Sequence, residues 1–205
     1  MHKKCLLLLG LIISHLIFIS CVEDKKHIKN YKKHNPQQEI SQTIKDVKAE
    51  TLYQLALDSY QRKDYNESIN LLKVSLLIEK NPIIYNELGT VNSTIKNYDI
   101  AINYYKEGQK SDSTYWPNFI NESSIYLGSK KFDEAEQILE EVLRNSKSEY
   151  WTSYANLYLA FLYFNNGNQC NKAKEYLSKS KSLKNDSELK EMYEKFETKI
   201  KQYCS

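Results

Sequence analysis

From residue 50 onward one arrangement of residues returns four times, and this recurrence constrains the fold more than any local motif. Ala56, Gly89, Ser123 and Ala160 are small residues set inside helical patterns. Twelve or thirteen positions later come Ser68, Ala101, Ala135 and Ala173, small again. Tyr65, Tyr98 and Phe132 precede the second small residue by three positions, and Leu72, Tyr105, Leu139 and Leu177 follow it by four. The first two steps, Ala56 to Gly89 and Gly89 to Ser123, are 33 and 34 residues. The last step is longer, because the linker at Ser146-Lys147-Ser148-Glu149 has grown.

Each unit reads as two amphipathic helices. Apolar residues fall at spacings of three and four, as in Leu52, Leu55, Ala56 and again in Ile69, Leu72, Val74, Leu76, Leu77. Turns are marked by Lys63-Asp64, Lys96-Asn97, Lys130-Lys131 and Asn165-Asn166-Gly167-Asn168. Two antiparallel helices must approach closely, and a bulky side chain at the crossing holds them apart. Small residues belong there, with the aromatic before the second small residue filling the hole beside it. Only five Gly and three Pro in 205 residues argue against a turn-rich β fold or a Gly-rich phosphate cradle.

The pattern resembles the tetratricopeptide repeat, whose signature runs aromatic or Leu, Leu-Gly, Tyr, Ala, aromatic. Unit two carries Tyr85, Leu88-Gly89, Tyr98, Ala101 and Tyr105. Unit three carries Phe119, Tyr126, Phe132, Ala135 and Leu139, with Glu122-Ser123 where Leu-Gly is usual. Unit one shows Leu52, Leu55-Ala56, Tyr65, Ser68 and Leu72, and unit four Leu159-Ala160, Tyr163, Ala173 and Leu177. The resemblance implies an all-α, right-handed α-solenoid of about four helix hairpins, 49–81, 82–115, 116–148 and 149–185, with a capping helix in 186–205. In that last segment Asp186 or Ser187 can cap, and Leu189, Met192, Phe196 and Ile200 make an apolar stripe.

At the other end, Lys3 and Lys4 precede an apolar run over 6–19 that stops at Ser20-Cys21, followed by Glu23-Asp24-Lys25-Lys26. The run is shorter than the roughly 20 residues a bilayer span needs. The layout is that of an export signal, and it resembles a bacterial lipoprotein signal peptide, with Phe18 where that family usually has Leu. The resemblance implies cleavage after residue 20, lipid on Cys21 and a flexible polar tether over 21–48. Lipid holds a soluble domain at a membrane surface. Glu23-Asp24 loosely resembles the surface-export signal of Bacteroidetes lipoproteins, so the cell surface and the periplasmic face of the outer membrane both stand as expected locations.

Two cysteines, Cys170 and Cys204, remain in an exported chain. A capping helix antiparallel to the last repeat helix returns Cys204 to the turn that holds Cys170. A disulfide there is geometrically reasonable and stabilises by roughly 3 kcal/mol. Two free thiols are the alternative.

Charge and residue chemistry narrow the function. The net charge is +3. Lys3 and Lys4 leave with the signal, and residues 22–48 hold seven lysines against four acids, so 49–205 carries −2. Nucleic acid is not the expected ligand of the folded part. All four histidines, at 2, 15, 27 and 34, precede the repeats. That removes Ser-His-Asp, Cys-His and His-ligated metal chemistry from the repeats. Acidic runs such as Asp133-Glu134-Glu136 read as solvated helix faces. An enzyme, a cofactor and a metal site are not expected.

In the resembled fold the first helices of successive units line a concave groove. Register places Tyr53, Leu57 and Tyr60 there from unit one, then Asn86, Thr90 and Ser93, then Ile120, Asn121 and Ser124, and finally Tyr154, Leu157, Tyr158 and Phe161. The groove is expected to be uncharged, aromatic at both ends and Asn/Ser/Thr in the middle. Tyr53, Asn86, Asn121 and Tyr158 are expected to be exposed, Leu157 and Phe161 to be packed. Without Lys or Arg in the middle units, it lacks the basic clamp with which chaperone co-factors of the family hold a C-terminal carboxylate. The expected function is a non-catalytic, lipid-anchored envelope protein that binds a protein or peptide in this groove. A structural subunit of an outer-membrane assembly and an envelope glycan-binding protein are the alternatives.

Overall fold

The computed structural model describes residues 43–167, 169–187 and 189–204, all within one compact unit. The expected signal segment 1–20, Cys21 and the part of the expected tether up to residue 42 lie outside the described residues. Every regular element described is helical. In order they are α1 (Val47–Gln61), α2 (Tyr65–Ile78), α3 (Pro82–Thr94), α4 (Tyr98–Ser111), α5 (Trp116–Gly128), α6 (Phe132–Asn145), α7 (Glu149–Asn165), α8 (Cys170–Lys179), a 3₁₀ segment (Lys181–Asn185) and α9 (Lys190–Tyr203).

Short polar side chains start several helices by accepting from otherwise unpaired backbone N–H groups. Asp46 accepts from Lys48 and Ala49, Asp64 from Glu67, and Asn81 from Ile83 one position before Pro82. Asp186 accepts from the Leu189 N–H at 2.8 Å and opens the turn leading into α9. The hairpin turns share a device. Lys63, Lys96 and Lys130 have φ of 65°, 65° and 58°, and Gly167 has 73°. A left-handed residue ends each first helix and sends the chain back, at a steric cost that the three lysines bear and the glycine does not.

The helices pair as α1/α2, α3/α4, α5/α6 and α7/α8, and each pair packs on the next through α2/α3, α4/α5 and α6/α7. In addition α3 touches α5 and α5 touches α7, whereas among the described residues no comparable contact joins α4 to α6 or α6 to α8. The first helices therefore form the inner row and the second helices the outer row, as in an α-solenoid.

Close approach within each hairpin rests on the small residues. Ala56, Ala101, Ala135, Ala160 and Ala173 are wholly buried. A Cβ on Gly89 would run into the ring of Tyr105. This corrects the expectation for unit two; Tyr65 and Phe132 are half-buried and packed against the core. The large residue beside the small one is Tyr105, four positions after Ala101, while Tyr98 is 43% exposed. Tyr98 is the first residue of α4, beyond the crossing point. Leu72, Leu139 and Leu177, which share the register of Tyr105, are likewise buried.

Glu122 occupies the place where the repeat usually has Leu, and it is 1% exposed. Burial pushes its carboxyl up, partly offset by Gln109 and Lys106 of α4. Gln109 Nε2 donates to Glu122 Oε2 at 2.6 Å, and Lys106 Nζ lies 3.7 Å from Oε1. At the C-terminal end α9 buries Leu189, Tyr193, Phe196 and Ile200 in the same core as Trp116, Leu139, Trp151 and Leu159. A disulfide joins Cys170, the first residue of α8, to Cys204, just past α9.

Gly89→Ala is expected to lower stability by about 1–3 kcal/mol, because the added methyl must displace a buried ring. Lys96→Gly, just past the end of α3, is expected to raise it by up to about 1 kcal/mol by relieving the left-handed backbone. Urea unfolding of the two variants checks both signs.

Candidate binding groove

The inner row displays α3, α5 and α7 side by side. Asn86 and Asn121 meet across α3 and α5, Asn121 Nδ2 donating to Asn86 Oδ1 at 2.9 Å. Thr90 Oγ1 donates to the Asn86 carbonyl at 2.9 Å and lies 3.4 Å from the Tyr105 hydroxyl. Ser124 Oγ donates to the Asn121 carbonyl at 2.7 Å. Tyr60 extends the row to α1, its hydroxyl 3.0 Å from Thr94 Oγ1.

On α7 the rings of Trp151 and Tyr154 stack with planes 6° apart, and Tyr154 meets Tyr158 edge-on at 5.0 Å. These contacts hold the α7 aromatics in fixed positions. Beyond them lies an open apolar cavity of about 250 Å³. Its walls are Leu127 and Gly128 from the end of α5, Leu157 and Phe161 from α7, and Met192 and Phe196 from α9, with Ser124 and Tyr158 at its edge. Phe196 packs on Phe161 and Phe164, with centroids 5.7 and 5.6 Å apart. A Cβ on Gly128 would meet nothing within 4 Å, so that side of the cavity is open.

The residues chosen by register divide. Tyr53, Tyr60, Thr90, Ser93, Asn121, Ser124, Tyr154 and Tyr158 are half-buried on the inner row. Leu57, Ile120 and Leu157 are buried. Two expectations of exposure are reversed. Asn86 is 6% exposed, because Asn121 closes over it. Phe161 is 40% exposed, because α9 covers one edge of its ring and leaves the other facing the cavity.

The expected absence of charge fails at one residue. Glu87, half-buried on α3, stands in the register of Asn121 and Tyr158. Among the described residues no Lys or Arg pairs with it. Burial pushes its carboxyl up to about 7, with a hydrogen bond from Asn86 opposing. The hydroxyls of Tyr105 and Tyr115 lie within its electrostatic reach, and its charge helps to hold both phenols above their ordinary range, burial being the larger cause. The cavity residues Gly128, Met192 and Phe196 were missed because two of them come from the cap. Glu87 lies 34 positions before Asn121 and so shares its register, but a single acid among uncharged positions did not stand out in the sequence. Among the described residues no group of His, Cys, Asp and Glu could hold a metal ion.

No family model matches the chain, and no curated protein matches it either. Solved structures do. A tetratricopeptide repeat protein from Parabacteroides merdae aligns at a TM-score of 0.62 and 15% identity, over 76% of this chain and 59% of that one. PilF of Pseudomonas aeruginosa aligns at 0.60 and 22%, over 76% and 72%. MamA from Desulfovibrio magneticus RS-1 aligns at 0.58 and 17%, over 77% and 96%. The fold is that of the tetratricopeptide repeat.

Glu87 ties stability to pH. The folded chain favours the neutral carboxyl, so the stability linked to it is present below the ordinary carboxylate range and is lost as pH rises through about 7. Glu87→Gln is expected to leave stability unchanged near pH 4 and to raise it at pH 8. The gain is of the order of 1–2 kcal/mol, after discounting for the solvent that still reaches the group. Urea unfolding at the two pH values checks this.

Proposed function

We propose that this chain is a non-catalytic, lipid-anchored envelope protein whose inner helix row captures a partner protein or peptide. The observation that carries the reading is the open apolar cavity between α5, α7 and α9, next to a row of hydrogen-bonded polar side chains. Fixed aromatics beside a concave apolar site are what a peptide-binding surface requires. The neighbouring structures support the fold alone. Export is supported by the segment ending at Cys21 and by the Cys170–Cys204 disulfide, which suits an oxidising compartment. Lipid on Cys21 at the outer membrane, on its periplasmic face or the cell surface, belongs to the same proposal.

A second reading, a structural subunit of a larger envelope assembly, is favoured by the first hairpin. Leu77 is 86% exposed, Leu55 49% and Val74 45%. Val74 and Leu77 lie on α2 of the outer row and Leu55 on α1, none of them at a groove position, and together they give the first hairpin an exposed apolar surface.

Affinity capture from envelope extracts separates the two. The groove reading expects Asn121→Ala/Tyr158→Ala to lose the captured partner with helicity intact, and Leu77→Lys to keep it. The reverse result favours the subunit. Palmitate labelling that survives Cys21→Ala would remove the anchor from the proposal.

A further inference from the structure

We infer that the groove takes an extended, basic peptide segment, seating one large apolar side chain in the cavity beside Phe161 and one lysine or arginine over Glu87. This rests on the groove reading above and gives its partner a chemistry.

Three observations on the inner row converge. The first is the size of the cavity. At about 250 Å³ it falls below the roughly 300–1,000 Å³ usual for whole small-molecule ligands. It suits a single Leu, Met or Phe side chain. Its mouth is open at Gly128, and its far wall is the exposed face of Phe161 and Met192.

The second is charge. Glu87 is half-buried in a row whose other inner positions, from Tyr53 to Phe161, carry no charge. A carboxylate partly removed from water with only an amide, Asn86, to pair with is costly, and among the described residues no Lys or Arg pairs with it. An incoming ammonium or guanidinium supplies the cation. The same charge disfavours an acidic segment or a C-terminal carboxylate at this point, since none of the inner positions named, from Tyr53 to Phe161, is a lysine or arginine; Lys195 and Lys199 stand farther off, on α9 beside Phe161 and Met192.

The third is spacing. α3 packs on α5 and α5 on α7, and neighbouring helix axes lie roughly 8–10 Å apart. The cavity between α5 and α7 is therefore on the order of 10–15 Å from Glu87. An extended chain covers that in about three to five residues. Between them Asn121 and Thr90, already oriented by Asn86, face the peptide backbone.

Titration of Glu87 follows from the same placement. The groups facing it are Asn86 on its own helix, Tyr105 on α4 and Tyr115 before α5, and none of them is cationic. A bound cation favours the ionised carboxylate, so affinity for the basic segment rises as pH passes from 6 to 8.

The test is fluorescence anisotropy of the full-length chain with labelled Ser/Ala decapeptides. Each holds one Phe and one Lys three, four or five residues apart, with controls in which Lys becomes Glu or Phe becomes Ala. At least one Phe/Lys peptide is expected to bind tenfold or more tighter than both its controls. Glu87→Gln is expected to erase the Lys-over-Glu preference and the pH dependence while keeping the Phe preference. Gly128→Leu fills the cavity, improves a helical position and is expected to erase the Phe preference. Equal binding of Lys and Glu peptides, or a preference that survives Glu87→Gln, overturns the inference. So does displacement of every peptide by labelled dodecanoate, which would make the cavity an acyl site. If peptides bind without charge preference but respond to Gly128→Leu, the groove reading stands and this inference falls. If none binds, both fall.

Discussion

The whole structure depends on how closely two helices can approach within a hairpin. At Gly89 the approach is so tight that a single methyl would enter the Tyr105 ring. The same crossing is made by alanine or serine elsewhere, with Leu72, Leu139 and Leu177 in the place of Tyr105. Fixing that distance fixes where the second helix leaves, and hence where the next unit begins. No hairpin of this size buries its apolar face alone, so the order of the array comes from neighbour-to-neighbour packing. The packing is uneven. The largest core joins α5 to α9, around Trp116, Leu139, Leu159 and Tyr193, while the first hairpins share a smaller one around Ala56, Leu72 and Leu88. The disulfide adds a covalent tie at the already better-packed end.

Where the chain departs from its own pattern, neighbouring residues compensate. Glu122 in a leucine position leaves a carboxyl in the core, and α4 answers with Gln109 and Lys106 at helical spacing. Such a pair specifies which helix packs there more than it stabilises. The three left-handed lysines are a different case. They cost conformational energy at Lys63, Lys96 and Lys130, and the stacked helices on either side overrule that cost.

The hairpins were legible because the signal for them is local and repeated. A small residue, a partner at twelve or thirteen positions and a polar turn between them recur four times. The surface of the groove was less legible. Exposure of a groove residue depends on its neighbour in the next unit, some 34 positions away, and on whether the cap reaches it. Asn86 fits the pattern of an exposed amide and is buried by Asn121. Phe161 fits the pattern of a core aromatic and is left open by α9. Glu87 sits in the same register as Asn121, yet a single acid among polar and aromatic positions does not stand out until the row is assembled.

The cap gives this solenoid its most specific feature. A terminal helix is usually accounted for by solubility, apolar toward the array and polar toward water. α9 does this with Leu189, Tyr193, Phe196 and Ile200, but Met192 breaks the rule at 37% exposed. Met192 and Phe196 stand beside Phe161 and wall the cavity from the α9 side. An adaptable thioether and an aromatic ring form that wall. In the proposed reading, a segment arriving from another molecule fills the space that α9 leaves open beside Phe161, and the charge it meets on the way is that of Glu87.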